Sequence, residues 1–273
     1  DTPGNLAIGA TGLASDAYYS GYYIAKELRA MGINMNFAPT VDIYTNLNST
    51  VIGPRAFSSN ALDTGILGAS YSQGVIDAGL IPTAKHFPGH GDTSDDSHGH
   101  LPEIQIDFNT LQNRELLPFK FLVDEKIPAI MSGHLSFPQI TKNGEPATLS
   151  KYFLTKVLRQ DMGYEGLIIT DDMMMNGATL YAGSLSKAVR MAIEAGNDIV
   201  ISSTTANLYD SLWTNNLSLM SRSNEFKQTV KTAARRVILS KLKYFKGENF
   251  VPIYPDLENI EKLVPDPEGT KFF

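Results

Sequence analysis

Apolar and polar positions follow two rhythms that take turns along the chain. Residues 15–31 set Tyr18, Tyr19, Tyr22, Tyr23, Ile24 and Leu28 at mostly helical spacing and stop at Gly32, which predicts a helix. Ile33-Asn34-Met35-Asn36-Phe37-Ala38-Pro39 then alternates at every second residue, as a strand does. The pairing recurs. Residues 62–78 predict a helix and 80–85 a strand, residues 110–126 a helix and 128–132 a short buried strand. Ser150 stands as the N-cap of a helix with Phe153, Leu154, Val157 and Leu158 on one face. Gly166-Leu167-Ile168-Ile169-Thr170 is the clearest strand, apolar at consecutive positions as strands buried on both faces are. A helix with Ala188, Val189, Ala192 and Ile193 ends at Gly196, and Asp198-Ile199-Val200-Ile201 follows as a fifth strand. Helical patterns fill most of 205–245. Residues 246–273, with Pro252, Pro255, Pro265 and Pro267, read as an irregular C-terminal extension.

Strands separated by single helices imply parallel pairing through right-handed crossovers, an α/β fold. No Gly-x-Gly-x-x-Gly follows any strand, which weakens a dinucleotide-binding sheet. The other large parallel architecture is the (β/α)₈ TIM-type barrel, whose catalytic residues sit where strands end. Asp42, the pair Lys85-His86, His134 and the pair Asp171-Asp172 all fall at such ends. Five strands are visible and a closed barrel has eight. The expected domain is therefore a barrel over 1–245 that lacks its N-terminal strands in this chain.

Composition narrows the partners. The 273 residues carry 23 basic and 29 acidic side chains, a formal charge of −6, which disfavours nucleic acid and polybasic membrane contact. No apolar run approaches the roughly 18 residues of a membrane span. The absence of cysteine removes disulfides, thiolate nucleophiles and Cys-ligated zinc together.

The candidate chemistry is concentrated. All five histidines lie between His86 and His134, four of them in the segment Lys85-His86-Phe87-Pro88-Gly89-His90-Gly91-Asp92-Thr93-Ser94-Asp95-Asp96-Ser97-His98-Gly99-His100. Histidine changes charge near neutral pH without special help, so this segment concentrates proton-transfer capacity. Asp96 and His98, two residues apart, can form a carboxylate–imidazole pair, with the carboxylate fixing the tautomer and the ring donating and recovering a proton. The alternative is that Asp95, Asp96 and Ser97 only make turn hydrogen bonds. Asp171 reads either as a turn or cap residue or as a carboxylate nucleophile held by a buried strand; Asp172 suits the cap of the next helix. Met173, Met174 and Met175 read as wall and core. Lys85, His86 and Arg55 could donate to a hydroxyl-rich substrate or pair with acidic neighbours, and His134 could line a pocket or pack. A metal-ligand reading of the histidines is weakened by Pro88 and Gly89, which break the helical His-x-x-x-His face that such sites use.

With these residues in view, the chain resembles the glycoside hydrolase family 3 β-N-acetylglucosaminidases of the peptidoglycan-recycling type. The resemblance runs from residue 3 to about 245. It rests on Pro3-Gly4-Asn5, Gly9-Ala10-Thr11, Asn36-Phe37-Ala38-Pro39 with Val41-Asp42, Ile52-Gly53-Pro54-Arg55-Ala56-Phe57, Lys85-His86-Phe87-Pro88-Gly89-His90-Gly91-Asp92 and Asp96-Ser97-His98. Pro146-Ala147-Thr148-Leu149-Ser150, Gly166-Leu167-Ile168-Ile169-Thr170-Asp171 and Ala234-Arg235-Arg236-Val237-Ile238 continue it. It implies a retaining double displacement in which Asp171 is the nucleophile and His98, oriented by Asp96, is acid and then base. Arg55, Lys85, His86, Asp42 and His134 would form the sugar-binding set. The implied substrate is a β-linked N-acetylglucosaminide, a muropeptide or peptidoglycan fragment, with no metal or organic cofactor. The histidine segment is more similar to secreted or envelope-attached bacterial relatives than to cytoplasmic ones. The resemblance also implies an upstream piece with further barrel strands and an Asp-x-Glu-Gly-Gly motif, neither of which this chain has. Two other readings stand beside it: a non-catalytic sugar-binding or scaffold remnant, and a metal-dependent hydrolase.

Overall fold

A computed structural model describes residues 2–49, 51–93, 101–203, 211–247 and 254–273. Two N-terminal helices, α1 (Asn5–Thr11) and α2 (Ala14–Ala30), precede strand β1 (Met35–Asn36). Then come α3 (Ala61–Asp77), β2 (Ile81–Phe87), a helical run comprising α4 (Phe108–Thr110), the π-wound turn Leu111–Glu115 and α5 (Leu116–Asp124), and β3 (Ala129–Ser132). A π-helix, Tyr152–Asp161, leads to β4 (Leu167–Asp172), followed by α6 (Asn176–Ala182), α7 (Leu185–Ala195) and β5 (Ile199–Ile201). Helices α8 (Ser211–Arg222), α9 (Asn224–Tyr244), α10 (Leu257–Leu263) and α11 (Pro267–Phe272) close the chain.

The five strands pair in chain order and all in parallel, a half-barrel open at β1 and β5 among the described residues. Strand alternation divides the core. Ile168 and Ala84 join Phe119, Leu122, Phe153, Leu154, Val157 and Leu158 in the layer between sheet and helices. Leu167 and Ile169, one residue either side of Ile168, join Ile81 and Ala129 on the opposite face, against Val237, Tyr244 and Phe245. Both faces are covered, which is why β4 is apolar at consecutive positions.

Three details differ from the sequence reading. The strand expected over 33–39 shortens to Met35–Asn36, because Pro39 brings no N–H to the ladder. Contact with β2 continues irregularly, with Thr83 N–H donating to Ala38 O (2.9 Å) and Val41 N–H to Lys85 O (2.8 Å). Ser150 caps the next helix as expected, its carbonyl accepting from the Leu154 N–H (3.1 Å) and its hydroxyl, which donates to Glu145 Oε1 at 2.5 Å, accepting from the Phe153 N–H (3.4 Å). The helix it starts, however, is π-wound over Tyr152–Asp161. The tail expected to be irregular contains α10 and α11. Lys26 of α2 pairs with the buried Asp266 at 2.7 Å, and Phe272 packs on Tyr19 and Tyr23. Tyr19 and Tyr23 of α2 thus face α11, while Tyr18 donates to Asp77 of α3 and Tyr22 packs on the core between α2 and α3.

Candidate active site

Parallel strands deliver their C-terminal ends to one side of the sheet, and the candidate residues collect there around a cavity of about 520 Å³. Its walls include Val51, Arg55, Lys85, His86, His90, Asp171, Asp172, Met174, Met175 and Ser203. Met173 is fully buried behind its two neighbours, so the methionines are wall and core, as expected. The volume lies in the range of small-molecule sites.

Asp171 stands near the end of β4 with its side chain 21% exposed. Its Oδ1 accepts from the Asp172 N–H at 2.8 Å, while Oδ2 lies 3.9 Å from His86 Nε2. One oxygen is therefore tied to backbone, and the other faces the cavity beside an imidazole. Asp172 points elsewhere. Its Oδ1 accepts from Met174 N–H (3.0 Å) and Ser203 N–H (3.1 Å), joining the ends of β4 and β5. The cap role expected for it does not form, because α6 begins at Asn176 after Met175.

His86 is oriented from below. Asp42, with no exposed surface, accepts from the His86 N–H (3.1 Å), the His90 N–H (2.7 Å) and the His86 ring at Nδ1 (2.7 Å). Burial pushes the Asp42 carboxyl up, but the charge of His86 and these hydrogen bonds outweigh it and hold the group below the ordinary aspartate value. The Asp42 bond sets the proton on Nδ1 and leaves Nε2 toward Asp171. The family resemblance implies that Asp42 contacts the sugar. The structure corrects this: its oxygens serve three N–H groups of the protein, and it reaches the cavity only through His86.

His134 is corrected in the same way. It is 1% exposed, does not line the cavity, and engages Thr148 Oγ1 at Nδ1 (2.9 Å) and the Asp172 carbonyl at Nε2 (3.0 Å). Its role is to brace the β3 and β4 ends. Burial lowers its pKa, opposed by the Asp171 charge and the hydrogen bond to the Asp172 carbonyl. Lys85 and Arg55 both reach the cavity. Burial and the nearby Arg55 charge lower the Lys85 pKa, while Asp171 and Asp42 oppose the shift. Arg55 is anchored through Nη1 to the Val51 carbonyl at 3.0 Å.

Asp96 and His98 lie outside the described residues. The root of their segment is described. Gly91 approaches the Ile43 carbonyl so closely that a Cβ would stand 1.7 Å from its oxygen, which demands glycine. Asp92 accepts from Thr45 Oγ1 (3.0 Å) and pairs with Arg114 (3.1 Å), which also binds the buried Glu115 at 2.6 Å. No sequence signal singled out this cluster. Burial, opposed by Arg114, pushes the Glu115 carboxyl up to about 7. A raised folded-state value means the folded protein holds a proton that the unfolded chain releases. The contribution is full below about 4.5 and is lost as pH rises through about 7. Glu115→Gln should therefore gain thermal stability relative to wild type between pH 5 and 8, by about 2–6 °C. Melting curves across that range check it, and a constant offset contradicts it.

The model of the glycosyl hydrolase family 3 N-terminal domain matches residues 1–239. The chain belongs to this family. A β-hexosaminidase of Thiobacillus denitrificans is 37% identical over 182 residues, 67% of this chain and 50% of that protein. A β-hexosaminidase of Neisseria meningitidis serogroup A is 33% identical over 248 residues, 89% of this chain and 68% of that one. Among solved structures, a family 3 β-N-acetylglucosaminidase from Paenibacillus sp. FPU-7 superimposes with a TM-score of 0.84 at 33% identity, covering 95% of this chain and 50% of that one. The chain thus spans about half the length of several relatives it matches. Among the described residues no group of three or more His, Asp or Glu side chains is disposed to hold a metal ion.

Proposed function

We propose that this protein is a retaining β-N-acetylglucosaminidase acting on terminal β-linked N-acetylglucosamine, in peptidoglycan fragments above all. The observation that carries the reading is the placing of Asp171: a partly exposed carboxylate at a strand end, with one oxygen tied to backbone and the other turned to a cavity shared with His86, Lys85 and Arg55. Asp171 attacks the anomeric carbon as the glycosidic bond breaks, giving a glycosyl-aspartate that water then hydrolyses. His98, held by Asp96, protonates the departing oxygen in the first step and takes a proton from water in the second. Lys85, Arg55 and His86 hold the ring hydroxyls. The hexosaminidase relatives and the β-N-acetylglucosaminidase structure support the aminosugar class. A secreted or envelope-attached setting would bring the enzyme to such fragments.

The test is proton NMR of the first-formed sugar from an aryl N-acetyl-β-glucosaminide. The β-anomer is the expected product, and the α-anomer would contradict a double displacement. His98→Ala should slow unactivated glycosides by about 10²–10⁴-fold and activated aryl glycosides far less, because a good leaving group needs little protonation. Equal losses on both substrates would remove His98 from the acid role.

A further inference from the structure

His90 lines the cavity beside His86, yet the proposed chemistry does not use it. Its backbone N–H is committed to Asp42, and its ring stands edge-on to the His86 ring with centroids 5.4 Å apart. Nδ1 lies 2.6 Å from Thr93 Oγ1, and that hydroxyl also lies 2.9 Å from the His90 carbonyl. A hydroxyl has one hydrogen. Both contacts are hydrogen bonds only when the hydrogen points to the carbonyl and the oxygen accepts from Nδ1–H. The opposite assignment leaves two lone-pair-bearing oxygens facing each other at 2.9 Å. The ring therefore carries its proton on Nδ1 and a bare lone pair on Nε2, for which no partner is found among the described residues.

We propose that His90 is a substrate-reading residue whose Nε2 accepts a hydrogen bond from the bound aminosugar, from a ring hydroxyl or the acetamido N–H. The inference rests on the aminosugar reading above. A sugar hydroxyl both accepts and donates. Lys85 and Arg55 supply donors, so the hydroxyl hydrogens need acceptors. Asp171 is reserved for the anomeric carbon, the bare His86 Nε2 is turned toward Asp171, and Asp172 already accepts from Met174 and from the Ser203 backbone and side chain. A neutral imidazole lone pair fills the gap. Burial and the nearby His86 charge, opposed by Asp42 and Asp171, lower the His90 pKa to about 4, so the acceptor stays uncharged from pH 5 to 8.

Two substitutions in the full-length protein separate reading from packing. His90→Asn keeps an amide near Nδ1 for Thr93 and removes Nε2; His90→Gln places an amide near Nε2 and loses the Thr93 bond. With an aryl N-acetyl-β-glucosaminide, His90→Asn should raise KM about 3- to 10-fold with little change in kcat. His90→Gln should keep a KM near wild type while melting earlier. An unchanged KM in His90→Asn, or a loss in His90→Gln that equals or exceeds it, overturns the proposal. The His90→Gln KM alone decides if His90→Asn does not fold. A wild-type protein that neither cleaves the glycoside nor binds N-acetylglucosamine contradicts the functional reading itself. An active wild type matched by His90→Asn contradicts only this inference.

Discussion

Asp171→Asn should lower turnover of an aryl N-acetyl-β-glucosaminide by about 10⁴-fold or more, with the fold intact. The amide keeps the shape and can still accept from the Asp172 N–H, so the β4 terminus has no reason to move. What it loses is the negative oxygen that faces the cavity, and with it the covalent intermediate. A good leaving group does not rescue this loss, because the missing bond forms at the carbon rather than at the departing oxygen. Steady-state rates and a melting curve for the same sample check both halves. Turnover within tenfold of wild type would leave Asp171 without a nucleophilic role.

Asp42→Asn is the second large effect, and it acts without touching substrate. The carboxylate accepts from three N–H groups at once: His86 N, His90 N and His86 Nδ1. An amide offers one accepting oxygen and an NH₂ that must point at one of these donors. Either a buried donor loses its partner, at about 1–3 kcal/mol, or the His86 ring changes tautomer and presents Nε2–H to Asp171. Activity should fall about 10²- to 10³-fold, by analogy with catalytic imidazoles deprived of an orienting carboxylate. The pH dependence has a definite sign. The Asp42 carboxyl is held below its ordinary value, so its contribution to stability is present above about pH 4 and is lost on acidification. The stability gap between variant and wild type should narrow below pH 4, as acid unfolding followed by circular dichroism can show. Wild-type rates in Asp42→Asn would make the triple hydrogen bond a matter of packing alone.

Much of this arrangement could be read from residues alone, for identifiable reasons. Strands β3 and β4 are short, apolar and buried on both faces, a pattern few other elements share. Asp171 and Lys85 could be placed at the cavity because both stand at the ends of buried strands, whereas Arg55 read as readily as an ion-pairing residue and came to the cavity only through the family resemblance. Burial depth was not legible. Asp42 and His134 look like Asp171 and His86 in sequence, since each polar residue follows a strand. Only the three-dimensional partners show that both brace the site from behind. The π winding of 152–161 escaped because Phe153, Leu154, Val157 and Leu158 bury one face in either winding. The C-terminal helices escaped because Pro267 reads as a breaker, although it occupies the first turn of α11, where proline starts a helix. Glu115 escaped because its significance lies in the groups packed on it, Arg114 and Gly89.

The most direct measurement is covalent trapping. An N-acetylglucosaminyl fluoride carrying a second fluorine on the sugar ring destabilises the cationic transition state, while its leaving group still permits the first step. Digestion and mass spectrometry of the labelled protein should find one sugar, attached to Asp171 in the peptide that follows Gly166-Leu167-Ile168-Ile169-Thr170. A sugar on another side chain, or none on a protein that still cleaves the aryl glycoside, would contradict the account.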